Sequence, residues 1–151
     1  MFRLIGSGRL NFEDCIKFAN DTPVCYLATL EGDQPRVRAL GFWFADKNGF
    51  HFQIGAVKDI YGQIQANPKV EACFWQPGEM SGKMMRVAGE IEFVDDPNLK
   101  KKVLEDRPFL KTFGLTFDHP GLIIFSIPKG EAYFWTMATN LEPKKFIKFG
   151  D

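Results

Sequence analysis

The chain has 151 residues, of which 45% are hydrophobic, and its 19 basic side chains are balanced by 19 acidic ones. This balance argues against a general nucleic-acid or membrane-surface binder, and no apolar stretch approaches the ~18 residues that cross a membrane. The length predicts a single domain over residues 1–151. Cys15, Cys25 and Cys73 are widely spaced, which indicates reduced thiols in the cytoplasm. Cys25 and Cys73 lie in apolar runs and are expected to be small core residues.

The first half of the chain predicts a helix, three strands and a second helix. Asn11 begins a helix whose apolar residues recur at helical spacing. Strands are predicted at 24–30, 36–45 and 50–54, and the turns EGDQP and DKNG join them as hairpins. A helix follows Gly55 and ends before Pro68. Its apolar face contains four residues, which are Val57, Ile60, Tyr61 and Ile64.

The second half predicts more strands with short helices between them. Strands are expected at 69–75 and 83–94, and residues 121–137 form one long strand or two that break at Pro128-Lys129-Gly130. The segment KKFIKFG alternates like an edge strand, and short helices are expected after Asp96 and near 108–113. Six or seven strands joined mostly by tight turns predict a compact, mainly antiparallel β-barrel with helices at its rim.

Two arginines stand out on the second predicted strand. Arg36 and Arg38 point to the same side of that strand, about 7 Å apart, and Val37, Ala39 and Gly41 are then expected to face the core. Paired arginines hold anionic groups through charge-assisted, forked hydrogen bonds. Two solvent-facing arginines on an edge strand are the alternative.

Lys58 stands at the start of a helix, where the partial positive charge of the N-terminus disfavours a cation. Either Asp59 offsets this cost, or an anion lies above the turn, where unpaired backbone N–H groups point outward. If the DKNG hairpin pairs its two strands throughout, Arg38 lies opposite Ile54, close to the helix start. Arg38, Lys58 and the helix N-terminus would then converge on one anion, for which a phosphate is suitable.

Three segments follow one another in a familiar order. They are RVRAL with its hairpin, FHFQIGAVKDIYGQIQANPKVEACFW, and RVAGEIEFVDDPNLKKKVLEDRPFLK. Together they resemble the pyridoxamine 5'-phosphate oxidase-like family of FMN-binding split barrels, over residues 12–149. The resemblance implies a mainly β fold with short flanking helices, a six-stranded antiparallel split β-barrel. It also implies a homodimer with the cofactor FMN bound at the interface.

Matching positions imply contacts to the flavin phosphate. Arg38 corresponds to a phosphate-binding arginine of the second strand, and Arg36 is its neighbour on the same face. Lys58 corresponds to a lysine that contacts the same phosphate.

The resemblance also implies contacts to the flavin ring. Gln53 and Ile54 correspond to a strand end that faces the ring and the ribityl chain, Ile54 mainly through its backbone. Trp75 and Trp135 are expected to approach the ring from the partner subunit.

The chain departs from the family pattern at three places. Ile54 stands where many members have a threonine, and Trp43 stands where true pyridoxamine phosphate oxidases have a lysine. The end of the chain, LEPKKFIKFGD, lacks their Arg-x-His signature for the substrate phosphate. Vitamin B6 oxidation is therefore not expected.

The expected function is that of an FMN-dependent oxidoreductase on an unidentified small substrate. Flavin reductase, oxidase and nitroreductase-like activities fit, with NAD(P)H as a candidate donor, and no catalytic side chain is assigned because the flavin carries the redox chemistry. The alternative is a non-catalytic module that holds FMN, haem or a deazaflavin on the same fold. Haem needs an axial ligand such as His51, His119 or a cysteine, and a deazaflavin needs further basic residues such as Lys83 and Arg86. A cofactor-free interaction protein is the third reading.

Other catalytic motifs find little support. His51 lies among phenylalanines, which is typical of a packed or surface histidine rather than a ligand. His119 has no second histidine at ligand spacing, so no metal site is expected. Ser7 and Ser126 have no evident base.

Overall fold

Ten strands and three α-helices make up the computed structural model, which describes residues 9–151. The strands are β1 (Val24–Glu31), β2 (Gln34–Gly41), β3 (Phe44–Asp46), β4 (Gly49–Gly55), β5 (Lys69–Gln76), β6 (Lys83–Glu90), β7 (Glu92–Phe93), β8 (Leu122–Ile127), β9 (Gly130–Thr136) and β10 (Ile147–Phe149). The helices are α1 (Phe12–Asn20), α2 (Asp59–Ala66) and α3 (Pro97–Asp106), with 3₁₀ turns at Pro108–Phe113 and Met137–Thr139.

The strands pair antiparallel throughout and form two sheets. The six-stranded sheet has the order β10-β9-β6-β5-β1-β2, and the four-stranded sheet has the order β3-β4-β8-β7. The predicted mainly β, antiparallel split barrel with short helices is confirmed. No helix within residues 9–151 is both long and apolar enough to cross a membrane.

Two predicted strands are each interrupted, which raises the number of strands above the six or seven expected. The strand predicted over 36–45 ends at Gly41 and resumes as β3 in the other sheet. Between them, Phe42 donates its backbone N–H to the carbonyl of Pro23 and packs its ring 4.9 Å from that of Phe74. Ile91 interrupts the strand predicted over 83–94 in the same way, since its side chain is buried and its N–H bonds to the Pro68 carbonyl.

The later breaks and edges follow the sequence pattern. Pro128 and Lys129 separate β8 from β9, and the alternating segment at the end of the chain forms β10 at one edge of the six-stranded sheet. Asn11 caps α1 through a reciprocal capping box with Asp14.

Aromatic side chains fill the main core between the two sheets. Phe52 and Phe125 stack with centroids 4.9 Å apart, and Phe50 and Phe74 lie beside them, all fully buried or nearly so. A smaller core lies under α3 and contains five buried residues, which are Val103, Leu104, Leu110, Leu122 and Ile124. The two cores lie on opposite faces of β8, since Phe125 and Ile127 belong to the main core and Leu122 and Ile124 to the smaller one.

Strand β2 is an edge strand, and its inner and outer faces are the reverse of the prediction. Val37 is 69% exposed, and Ala39 and Gly41 are exposed as well, whereas Arg38 and Leu40 are half-buried on the inner face. The expectation that Val37, Ala39 and Gly41 face the core is wrong. The reason is the register with β1, in which Arg38 lies opposite the buried Leu27, so the alternate residues of β2 face outward.

Candidate functional site

The guanidinium of Arg38 is held by three hydrogen bonds at the inner edge of the six-stranded sheet. Nη1 donates to the carbonyl of Leu27 (3.2 Å) and to Thr29 Oγ1 (2.7 Å), and Nη2 donates to Gln63 Oε1 (2.7 Å). An arginine side chain carries five N–H donors, so some remain for a further partner. Burial lowers the pKa of Arg38, and the nearby Asp59 carboxylate acts in the opposite direction. The guanidinium therefore contacts α2 at Gln63, near the middle of that helix.

Gln63 and Thr29 complete this arrangement, and the sequence interpretation missed both. Thr29 Oγ1 donates to Gln63 Oε1 over 2.6 Å, and both side chains are buried. Gln63 lies in the buried face of α2 between Ile60 and Ile64. A polar residue inside an apolar helical stripe was the signal that could have identified it, because a buried amide needs hydrogen-bond partners.

Lys58 occupies the N-cap position of α2 rather than its first turn. Its backbone is extended, and the helix proper begins at Asp59. The side chain is exposed and forms no ion pair or hydrogen bond in the described part of the chain.

The first turn of α2 has backbone donors without carbonyl partners. The N–H of Lys58 bonds to the Gly55 carbonyl and that of Tyr61 to the Lys58 carbonyl. Between them, the N–H groups of Asp59 and Ile60 have no such partner within residues 9–151. Val57, predicted to belong to the apolar face, precedes the helix and is 93% exposed. The prediction that Val57 belongs to the apolar face of the helix is therefore wrong.

Arg36 shares the inner-facing parity of Arg38, as its pairing with Thr29 indicates. Nε and Nη2 both bond to one oxygen of Glu31, at 3.0 and 2.8 Å, and both side chains are about half exposed. Arg36 is therefore a partly exposed arginine whose charge is already paired with Glu31.

The predicted pairing of Arg38 with Ile54 is wrong. Arg38 lies opposite Leu27 of β1, and Ile54 lies opposite Ile123 of β8. The interruption at Phe42 moves β3 and β4 to another sheet, so the DKNG hairpin pairs only residues 44–46 with 49–51. Arg38 contacts α2 instead, through Gln63 near the middle of that helix.

Gln53 and Ile54 lie at the end of β4, just before α2. Ile54 points into the main core, so only its backbone is available to a ligand, and Gln53 is half-buried on the opposite face. Within the described residues, β3 pairs with β4 only as far as residue 51. Beyond that point one edge of β4 presents backbone N–H and C=O groups that no strand occupies.

Trp75 and Trp135 lie on the outer face of the six-stranded sheet, each opposite Met84 in its strand pair. Trp75 is 42% exposed, and its Nε1 donates to the Ser81 carbonyl. Arg38 lies on the inner face of the same sheet, so within one chain these rings are not brought together with Arg38.

His51 forms a hydrogen-bonded chain that the sequence interpretation did not recognise. Its Nδ1 lies 2.7 Å from Ser126 Oγ, and its Nε2 lies 2.8 Å from Asp46 Oδ1. The expectation that Ser126 has no base is therefore wrong, because register brings β8 beside β4; Ser7 lies outside the described residues. Ser126 is only 4% exposed and Phe44 stacks on the imidazole at 4.4 Å, so a substrate carbonyl has no access. His51 is a packed histidine, as predicted.

His119 and the cysteines do not form a further site. Nδ1 of His119 accepts a hydrogen bond from the N–H of Gly121, and no group of three metal-ligating side chains occurs in residues 9–151. All three cysteines are free. Cys15 and Cys25 are buried, but Cys73 is half-buried on the outer face of β5, so its predicted place in the core is wrong.

A family model supplies the comparison that decides the family. The model for pyridoxamine 5'-phosphate oxidase matches residues 13–117, more than two thirds of the chain. The chain belongs to the pyridoxamine 5'-phosphate oxidase family. No curated protein sequence gives a match.

Solved structures of this family's fold include proteins with different ligands in their descriptions. A NimC/NimA family protein from Clostridium acetobutylicum is 27% identical with a TM-score of 0.76, covering 91% of this chain and 92% of that one. An FAD-binding protein from Mesorhizobium loti is 20% identical with a TM-score of 0.61, covering 83% and 94%. HutZ, a haem storage protein from Vibrio cholerae, is 15% identical with a TM-score of 0.64, covering 91% and 98%. At these identities, the FAD-binding protein and HutZ show that they share their fold with this chain.

Proposed function

We propose that this family member is an FMN-binding flavoprotein that acts as an oxidoreductase on a small substrate. The observation that carries the proposal is the contact of Arg38 with Gln63 of α2, together with an exposed Lys58 at the N-cap of the same helix that has no ion-pair or hydrogen-bond partner within residues 9–151. Two cations and the partial positive charge of a helix N-terminus favour a dianionic phosphate. The FAD-binding relative supports a flavin in particular.

The residues present fit a flavin phosphate. Arg38 retains guanidinium donors beyond its three internal bonds, and the N–H groups of Asp59 and Ile60 have no carbonyl partner within residues 9–151. Lys58 adds an exposed positive charge. Arg36 contributes less in this proposal because Glu31 already neutralises it.

The ring of the flavin would lie along the end of β4. Gln53 supplies a polar side chain there, and Ile54 supplies backbone groups at the open edge of the strand. When bound, the flavin would supply the electron transfer. The protein binds the phosphate, orients the ring and limits the access of water.

We also propose a homodimer with the cofactor at its interface. The outer face of the six-stranded sheet exposes Tyr26, Val37 and Trp75, an apolar surface that a second copy would cover. Trp75 and Trp135 face away from Arg38 in their own chain, so they reach a flavin held by Arg38 only from a partner. A single-domain protein in the cytoplasm, with three reduced thiols, is consistent with this proposal.

Haem is less favoured by the geometry of the histidines. Both ring nitrogens of His51 already have partners, and the ring is buried. Nδ1 of His119 accepts from Gly121, so its Nε2 carries the proton and iron binding there would require the other tautomer. Cys15 and Cys25 are fully buried.

The test is an absorbance spectrum of the purified protein, with the released chromophore identified by chromatography. We expect a flavin spectrum and release of FMN. A Soret band would move the haem alternative ahead. A colourless protein that takes up no added FMN would overturn the proposal.

The phosphate site has its own test in substitutions of the two cations. Lys58→Gln together with Arg38→Gln should raise the dissociation constant for FMN by about tenfold or more, because two charge-assisted contacts are lost. Isothermal titration of the apoprotein gives this constant. Lys58→Gln alone should have a smaller effect without altering the fold, since the side chain is exposed. Lys47→Gln, an exposed lysine in the turn before β4, is the matched control and should leave affinity unchanged.

A further inference from the structure

A tight turn leads into the first residue of β8. Leu122 donates its backbone N–H to the carbonyl of His119 over 3.1 Å, so Pro120 and Gly121 are the two central residues of this turn. Proline suits the second position of such a turn because its ring fixes φ near −65°. His119 stands at the first position.

The imidazole of His119 closes the turn from the side. Its Nδ1 accepts a hydrogen bond from the backbone N–H of Gly121 over 2.8 Å. The ring lies close over this glycine, since a Cβ at Gly121 would be 3.0 Å from both Nδ1 and Cε1 of His119. Asn and Asp commonly make the same contact in turns, where their side-chain oxygen accepts the N–H two residues along the chain. His119 therefore takes the place of an Asn or Asp in this turn.

Gly121 also anchors the turn that precedes α2. Its carbonyl accepts the backbone N–H of Ala56 over 2.9 Å, one step beyond the last pair of the β4–β8 ladder. Ala56 lies in the turn that the N–H of Lys58 closes with the Gly55 carbonyl over 3.1 Å. One hydrogen-bonded path therefore runs from the His119 imidazole through Gly121 to the turn that presents Lys58 and the first N–H groups of α2.

Only an unprotonated Nδ1 accepts the bond from Gly121. An imidazole that carries both protons is a donor at both nitrogens, so it would face the Gly121 N–H with a second N–H. Histidine is the side chain whose charge ordinarily changes between about pH 5 and 8, and His119 is exposed to solvent. Protonation therefore releases the Gly121 peptide from the ring and loosens the anchor of Ala56.

Charged groups lie around this turn on three elements. Asp118 precedes the histidine, and a hydrogen bond from the Thr116 hydroxyl, more than the charge of His119, lowers the pKa of its carboxyl. Lys101 of α3 lies over an aromatic ring of the same loop, 4.7 Å from the ring centroid, and Lys58 lies in the anchored turn. Carboxylates and lysines ordinarily keep their charge between about pH 5 and 8. His119 is therefore the group at this turn whose charge changes in that range.

We propose that His119 is a positioning residue for the phosphate site and that its protonation weakens cofactor binding. The neutral imidazole holds Gly121, Gly121 holds Ala56, and the turn then presents Lys58 and the N–H groups of α2 to the phosphate. This inference rests on the proposed function, because it names the residue that makes the affinity of the same site depend on pH. His119 touches neither the phosphate nor the flavin ring in this proposal and acts only through the turn.

The test measures the dissociation constant of FMN for the apoprotein at about pH 7.5 and about pH 5.5. His119→Asn keeps an acceptor that does not titrate, and His119→Ala removes the acceptor at every pH. We expect the wild-type constant to rise about threefold more over this range than that of His119→Asn. His119→Ala should bind FMN about threefold more weakly than the wild type at the higher pH and should show the pH dependence of His119→Asn. The FMN phosphate itself takes up a proton near pH 6, but this change is common to all three proteins.

A second measurement separates this inference from the flavin proposal. The backbone amides of Gly121 and Ala56 in the apoprotein should shift together in a nitrogen–proton correlation spectrum as His119 titrates, and this transition should be absent in His119→Asn. Equal pH dependence of FMN binding in the wild type and His119→Asn would overturn the inference, as would an Ala56 amide that does not follow His119. A protein that binds no FMN would overturn the flavin proposal, and the amide signals would then decide whether His119 holds the turn.

Discussion

Arg38 shows at the residue scale how a candidate phosphate-binding cation is held in place. Its guanidinium bonds to Thr29 of β1 and Gln63 of α2, and these two side chains bond to each other. Each member is at least half-buried, so loss of one leaves the others with unsatisfied polar groups. The network holds the Arg38 guanidinium against α2. Arg38 would therefore lose less side-chain entropy on binding a ligand than a freely rotating arginine would.

Gln63→Leu should therefore destabilise the protein by about 1–3 kcal/mol, because Arg38 Nη2 and the Thr29 hydroxyl lose their shared acceptor. Urea denaturation measures the change. Gln65→Leu, two residues along the same helix but exposed, should change stability by no more than about 0.5 kcal/mol. Similar effects of the two substitutions would contradict the role assigned to Gln63.

Two buried thiols make a further residue-scale prediction about pH. Burial raises the pKa of Cys15 to about 12 and that of Cys25 to about 12, from 9.0. The folded protein keeps these protons more tightly than the unfolded chain, so this stabilisation is present below pH 9.0 and is lost as the pH rises toward about 12.

Cys25→Ala should accordingly reduce the alkaline loss of stability. The urea midpoint of the wild-type protein should fall more steeply between pH 9 and about 11 than that of the variant. The difference between the two curves removes the contribution of lysines and tyrosines common to both. Parallel curves would show that the Cys25 thiol does not titrate in this way.

At the element scale, α2 links the two sheets and presents the candidate phosphate site at its start. It follows β4 of the four-stranded sheet and contacts β1 of the six-stranded sheet through Gln63. The helix is only eight residues long and contains Gly62, so its stability depends on packing more than on propensity.

Gly62→Ala should stabilise the protein by about 0.5–1 kcal/mol, because a Cβ at this helical position meets no atom within 4 Å. Gly49→Ala is the opposite case. Gly49 has φ +116, and a Cβ there would lie 2.2 Å from the Ile127 carbonyl oxygen, so a loss of at least about 1 kcal/mol is expected. Thermal or urea unfolding of both variants tests the pair, and a stabilising Gly49→Ala would contradict the described β4–β8 contact.

At the scale of the whole molecule, the outer face of the six-stranded sheet is the surface proposed to form the dimer interface. Alternation along the strands places Tyr26, Val37 and Trp75 on the same outer face. The proposed dimer would bury this surface and bring a partner's tryptophans toward Arg38. The area of this apolar surface does not by itself determine how tightly two copies bind. The oligomeric state therefore has to be measured directly.

Val37→Glu should shift the protein from a dimer to the 17.2 kDa monomer, since a carboxylate would be buried without a partner in the interface. Sedimentation at micromolar concentration measures this change. Phe113→Glu is the matched control, because Phe113 is equally exposed but lies in the turn after α3. A wild-type protein that sediments only as a monomer would contradict both the dimer and the shared cofactor site.

Local patterns in the sequence determined the class of the elements and most of their ends. Alternation predicted the strands, Asn11 and Pro68 marked helix limits, and the ordered segments around RVRAL and NPKV indicated the family. These signals act over a few residues, where backbone geometry and capping depend on near neighbours.

Only the tertiary structure decided which strands pair and which faces are buried. Because Phe42 turns into the core, β3 lies in the other sheet and Arg38 does not pair with Ile54. Val37 faces outward. Two hydrogen-bonded groups illustrate this, the Gln63–Thr29–Arg38 network and the Ser126–His51–Asp46 chain. Their long-range bonds join residues 25 to 75 positions apart in the sequence, whereas a few links, such as Asp46 to His51, are short. Such contacts depend on sheet order, which a single sequence determines only through the packing of the whole core.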